Sequence, residues 1–129
     1  MIRTHLVGWA RITEILSSLG PVSDWTTAVL DQAVLHLADS GEPFGSNDLR
    51  LMVPEDDFRK AAQYFAQLTG HDALHPDEPQ LLRKVGEEVS INEKARGKRV
   101  NTYLLTRAGR DFIEARQAAR IEQRKAAAA

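Results

Sequence analysis

Apolar residues recur at helical spacing through the first half of the chain and alternate along part of the second half. Trp9, Ile12, Leu16 and Leu19 share one stripe, with Ile15 beside them. They predict a helix over Gly8 to Leu19, stopped by Gly20-Pro21. Ser23 and Asp24 offer capping oxygens to a second helix, Trp25 to Ser40. Its stripe is Val29-Leu30, Ala33-Val34 and Leu37, and Gly41 ends it. A short helix, Asn47 to Met52, follows Ser46 as its cap. Val53-Pro54 breaks it, because the residue before a proline is pushed out of the helical region.

Pro54 suits the first position of a new helix, where its missing N–H costs nothing. Glu55, Asp56 and Asp57 fill the first turn and favour the positive end of the dipole. Phe58, Ala61-Ala62, Phe65 and Leu68-Thr69 then share one face, and Gly70 closes the element. The opposite face shows Asp56, Lys60, Gln63 and Gln67, with Arg59 and Tyr64 at its borders. His71 to Gln80 holds two prolines and reads as a connector. Leu81 to Ile91 and Val100 to Thr106 alternate as two antiparallel strands. Arg107-Ala108-Gly109 turns into a last helix, Arg110 to Arg124, whose thin stripe is Phe112, Ala115 and Ala119, with Ile121 near its edge. The pattern predicts a mainly α fold with a small β-hairpin, in the α+β class.

Length and composition narrow the picture. The 129 residues and 43% hydrophobic content fit one domain with one core. No apolar run approaches the roughly 18–20 residues of a membrane span. The first residues lack the order of a secretory leader, and the cytoplasm is the expected compartment. The absence of Cys excludes disulfides, thiol nucleophiles and thiolate zinc sites.

Charge adds an asymmetry. Residues 1–80 carry 5 Lys and Arg against 12 Asp and Glu, whereas residues 81–129 carry 12 against 6. Between Lys94 and Arg110 stand six cations and no acid. The tip of the predicted hairpin, Glu93-Lys94-Ala95-Arg96-Gly97-Lys98-Arg99, concentrates four of them. Such charges repel one another, and phosphate is the commonest group that offsets the repulsion. Gly97 lets the backbone turn and come close to a partner. A basic loop solvated beside an acidic face is the plainer alternative.

The order helix, short helix, tight break, helix, hairpin, helix resembles a winged helix-turn-helix DNA-binding domain over about Asp24 to Gly109. Asn47-Asp48-Leu49-Arg50-Leu51-Met52-Val53-Pro54-Glu55 is similar to the second helix and turn of that family, and Phe58 to Gly70 to its third helix. Tyr103-Leu104-Leu105-Thr106-Arg107-Ala108-Gly109-Arg110 resembles the end of the wing, where a strand leaves through Leu-Thr-x-x-Gly into a closing helix. The resemblance implies a third helix in the major groove of double-stranded DNA and a wing on the backbone. Lys60, Gln63 and Gln67 would then face bases, chemistry that suits guanine and adenine edges. Arg59 and Tyr64 would stand near the groove walls. Lys94, Arg96, Lys98 and Arg99 would meet phosphates around Gly97. The three acids at Glu55-Asp56-Asp57 depart from this pattern, because they would repel phosphate unless they point away. The same fold also serves as a protein-binding module, so a protein partner is the alternative.

Other chemistry finds little in the sequence. His71-Asp72, His75, Asp77 and Glu78 are metal-ligand types, but Pro76 and Pro79 argue against helical placement of the two His. No metal, cofactor or catalytic residue is expected. No Gly-x-Ser-x-Gly elbow and no phosphate-binding Gly-Lys loop occurs. Trp25 reads as a core or interface anchor, and His36 as solvent-facing or packed at an edge. Trp9, Ile12, Leu16 and Leu19 of the first helix, with Phe112 and Ala115 of the last, are the expected contacts of a homodimer.

Overall fold

The computed structural model describes residues 22–128. The predicted helix over Gly8 to Leu19 and its stripe of Trp9, Ile12, Leu16 and Leu19 lie outside them. The described chain is α+β. Its elements are α1 (Asp24–Ala38), β1 (Phe44–Gly45), α2 (Ser46–Met52), α3 (Glu55–Phe58), α4 (Ala61–Leu74), β2 (Leu82–Val89), β3 (Arg99–Leu105) and α5 (Arg107–Ala128). The three strands form one antiparallel sheet in the order β1-β3-β2.

Local chemistry starts most of these elements. The Ser23 hydroxyl accepts the Thr26 N–H at 3.1 Å and caps α1. Asp48 reaches back to the Gly45 N–H at 2.9 Å and fixes the start of α2. Thr106 caps α5, its hydroxyl accepting the Gly109 N–H at 3.0 Å. That hydroxyl also donates to the carbonyls of Gln80 and Leu81. One side chain thus ties the last helix to the start of the hairpin.

The core joins the helices to the sheet. Leu30 and Val34 of α1, Leu49 of α2, Tyr64, Phe65 and Leu68 of α4, and Ile113 of α5 surround Phe44, Leu81, Leu82 and Tyr103. Phe65 stacks on Tyr103 with ring centroids 4.9 Å apart, which seats α4 on the sheet. At the far end of α4, Asp72 accepts the N–H groups of Leu81 and Leu82 at 2.8 and 3.2 Å. The helix therefore runs past Gly70 to Leu74, rather than closing at the glycine.

The structure corrects the sequence reading in several places. Phe44–Gly45 pairs with Tyr103 and Thr102 as a third strand that two residues could not announce by alternation. The predicted helix from Pro54 to Gly70 is two helices, divided at Arg59 and Lys60, where Lys60 adopts φ −98°, ψ 4°. The break changes the helical phase. The inward face of α4 is Ala61, Tyr64, Phe65 and Leu68, while Ala62 and Thr69 face outward. On α5 the inward face is Gly109, Ile113 and Arg120, with Phe112 and Arg116 half-buried, whereas Ala115 and Ala119 are exposed. Trp25 is 68% exposed and is not a core residue. His36 is exposed, as the pattern allowed.

Candidate nucleic-acid interface

A groove of about 640 Å³ lies between the helices and the hairpin. Its floor is Ala62, Phe65, Ala66 and Thr69 of α4, with Val100 and Tyr103 of β3. Arg50 and Arg59 stand on the helical side, and Lys98 and Arg99 on the hairpin side. Glu55 is the acid among its lining residues.

Each cation is held by its surroundings to a different degree. The Arg50 guanidinium lies over the Phe58 ring, 4.3 Å from its centroid, which fixes the fork while leaving its N–H edges free to donate. Arg99 stands 3.6 Å from Glu87 and donates to the Glu87 carbonyl at 3.3 Å, a contact on the open face of the hairpin. Arg59 lies 3.9 Å from Asp56, and both are well exposed, so that pair contributes little. Lys98 is exposed.

The tip is built for sharp reversal. Ser90 N–H donates to the Lys98 carbonyl at 2.8 Å, the last rung between the strands. Asn92 then caps a single 3₁₀ turn over Glu93–Ala95. Arg96 and Gly97 follow with φ of 50° and 77°. Glycine takes that left-handed backbone without strain, and it occupies the second of the two positions. Lys94 and Arg96 are exposed at the tip, outside the groove.

The predicted base-reading residues are placed differently from the hairpin cations. Lys60, Gln63 and Gln67 are half-buried at the edge of α4 and do not line the groove. Tyr64 is fully buried, and its place on the outer border is wrong. The reason lies in α1. Asp31 is itself fully buried and accepts the Tyr64 hydroxyl at 2.7 Å. Arg116 of α5 meets the same carboxylate through Nε at 2.9 Å and through a terminal nitrogen at 2.5 Å. Arg120 adds a further bond at 3.1 Å and reaches Asp24 as well. Burial pushes the Tyr64 hydroxyl far above its ordinary pKa, and the Asp31 charge adds to the shift. Burial opposes the charge on Arg120, but its bonds to Asp24 and Asp31 outweigh that and raise its pKa.

The acids before α4 do not close the interface. Asp57 is buried and accepts the Thr26 hydroxyl at 2.8 Å, so it points away from the groove. Asp56 is exposed beside Arg59, and only Glu55 reaches the lining.

His71 and His75 stand one helical turn apart, with ring centroids 4.5 Å from each other. His75 is the non-helical cap of α4, at φ −124° and ψ 62° just before Pro76, so the two His are not both on the helix even though their rings meet. The Asp72 oxygens between them are taken by the backbone of β2, and no cluster of three metal-ligating side chains occurs among the described residues. Phe112 packs against His71 at 5.1 Å and under Arg116 at 5.2 Å, within the chain.

Sequence reading missed Arg50, Ser46 and Asn101 of the groove, and Asp31 beneath it. Arg50 becomes legible only once Phe58 is known to fold back under it. No family model matches the chain, and no curated protein or solved structure matches it.

Proposed function

We propose that this protein binds double-stranded DNA as a winged helix-turn-helix domain, with one phosphate strand along the groove between α4 and the hairpin. The observation that carries this reading is the pairing of Arg50 and Arg59 on one wall with Lys98 and Arg99 on the other. A duplex backbone is a regular line of negative charge, and cations on both walls neutralise it from two sides. The outward face of α4 then lies toward the major groove. Ala62, Ala66 and Thr69 make that face low enough for close approach. Lys60, Gln63 and Gln67 stand at its edge, where they meet bases or flanking phosphates. Lys94 and Arg96 at the tip extend the contact along the backbone. The role is that of a transcriptional regulator or of an accessory factor of a phage or plasmid, acting without catalysis or cofactor.

The test is an anisotropy titration on a random duplex at two salt concentrations. Each phosphate contact contributes about 0.9 to the slope of log K against log salt. Replacing Arg96, Lys98 and Arg99 together with Ala lowers affinity on all sequences alike and flattens that slope. Wild-type protein that fails to bind duplex, or a triple variant with unchanged affinity and slope, removes this reading and favours a protein partner. Base reading is checked separately. Selection from a random duplex pool changes at a few positions in Gln67→Ala, with discrimination of about 1–3 kcal/mol for a base-edge contact.

A further inference from the structure

One side chain fastens the upper end of the hairpin, next to its tip, to the helices. The Asn47 amide nitrogen donates to a Glu88 carboxylate oxygen at 3.0 Å and to the Val89 carbonyl at 2.9 Å. Its amide oxygen accepts the Ile91 N–H at 2.9 Å. The amide thus spends both donors and an acceptor on three polar groups at and just beyond the end of β2. Asn47 stands in the first turn of α2, next to Ser46 of the groove and one turn before Arg50.

Lower in the hairpin, other contacts do the holding. Tyr103 is stacked on Phe65, and Thr102 is paired with Gly45. At that level β2 carries an irregularity between Lys84 and Gly86, where a strand bends, and above it the two strands continue as a lone pair to Val89 and Arg99. Lys98 and Arg99 sit at the upper end. Their distance from Arg50 and Arg59 depends on how far the upper hairpin leans from α2.

We propose that Asn47 is the positioning residue of the interface: it sets the width of the groove by holding the upper hairpin against α2. This rests on the duplex-binding reading given above. The amide is suited to the task because it joins donors and an acceptor in one rigid plane. An Asp at this position keeps the bond from Ile91, loses both donors and sets a second carboxylate against Glu88. An Ala loses all three bonds. In either variant the cations of the hairpin remain, but they no longer stand at a fixed distance from those on the helices. Ordering them then has to occur on binding, which lowers affinity without removing any charge that meets phosphate.

The experiment compares wild type with Asn47→Ala, Asn47→Asp and Glu88→Gln. Glu88→Gln keeps an oxygen for the Asn47 amide and serves as the control. Circular dichroism checks folding, and Asn47→Asp stands in if Asn47→Ala does not fold, since an acid suits the first turn of a helix. Three quantities are read: trypsin cleavage after Lys94, Arg96 and Lys98 in the native protein, amide exchange at Ile91, and affinity for random duplex. Asn47→Ala speeds tip cleavage and Ile91 exchange at least about tenfold and weakens duplex binding by about the same factor, since about tenfold is the size of a single net hydrogen bond and three are lost. Glu88→Gln stays near wild type in all three. Unchanged cleavage and exchange in Asn47→Ala overturn the proposal. So does a loosened hairpin with unchanged duplex affinity, which leaves the duplex-binding reading standing. Wild-type protein that binds no duplex removes that reading and this proposal together.

Discussion

At the scale of single residues, Tyr64 and Asp31 show how burial reassigns a side chain. By spacing, Tyr64 stands at the polar edge of its helix, and Asp31 reads as one more acid in an acidic half. Neither position reveals that Arg116 and Arg120, some 85 and 89 positions further on, converge on Asp31. A buried carboxylate needs such partners, and the tyrosine hydroxyl completes the set. Tyr64→Phe deletes one bond to a charged acceptor and destabilises the fold by about 1.5–3 kcal/mol at neutral pH. The pH dependence has a definite sign. The native state holds the phenolic proton more tightly than the unfolded chain does, so the tyrosine's contribution is complete below about pH 10, the ordinary tyrosine value. Above it the unfolded chain sheds its proton first, and stability falls by about 1.4 kcal/mol per pH unit for this group. Urea midpoints followed from pH 8 to 11.5 therefore converge for wild type and Tyr64→Phe. Parallel curves would mean that the hydroxyl is not held against Asp31.

At the scale of elements, alternation and helical period located most of the described secondary structure. The strands predicted at Leu81 to Ile91 and Val100 to Thr106 are β2 and β3 within a residue or two. In the α1 stripe Leu30, Ala33 and Val34 are buried as their spacing requires, while Val29 and Leu37 are half-buried at its edges. What failed was phase and face. The pattern predicts one helix across Pro54 to Gly70 because no proline or glycine marks Arg59-Lys60; the break comes from tertiary demand, with Asp57 drawn to Thr26 and Tyr64 to Asp31. The last helix was read from its apolar residues, yet much of its inward face is arginine, which a hydrophobic pattern passes over. The Leu-Thr-x-x-Gly segment is legible in both senses. Its Thr106 is the cap of α5. Its Gly109 passes so close to Leu81 that an added Cβ would collide with the Leu81 carbonyl and sit 2.7 Å from Leu105 Cδ1. The carbonyl belongs to the backbone and cannot swing aside. Gly109→Ala accordingly costs about 3 kcal/mol, the upper part of the usual overpacking range, despite the better helix propensity of Ala. Thermal denaturation measures it. An unchanged or raised melting temperature would show that α5 can shift away from Leu81 at little cost.

At the scale of the whole molecule, the charge asymmetry of the sequence becomes a division of labour. Acids of the first half are partly taken up within the chain: Asp31 and Asp57 are buried, while the exposed Asp39 and Asp24 pair with Arg110 at 2.7 Å and with Arg120. Arginines of α5 answer Asp24, Asp31 and Asp39, Thr26 answers Asp57, and the hairpin cations are left to face outward. The long helix outlasts this support. Arg120 is its last buried residue, residues 121–128 are all exposed, and Ile121 is 51% exposed. An exposed end of that length is marginal as a helix in water by itself. We propose that a second copy of the chain covers it, along the exposed Ala118 and Ile121, which lie one turn apart on the same side of the helix. Phe112 is already engaged with His71 and Arg116, so it is not the centre of this contact. The reading also fits DNA recognition, because one domain of this size spans a short site and two copies on a palindrome double the contacts. Light scattering at micromolar concentration then gives about twice the chain mass of 14.4 kDa. Ala118→Glu combined with Ile121→Glu yields a folded monomer, because both positions face solvent in the single chain. That variant binds a one-site duplex as the wild type does and loses only the added affinity for a two-site duplex. A wild-type mass that stays at 14.4 kDa up to the highest soluble concentration rules out the dimer. A double variant that remains dimeric moves the contact away from α5.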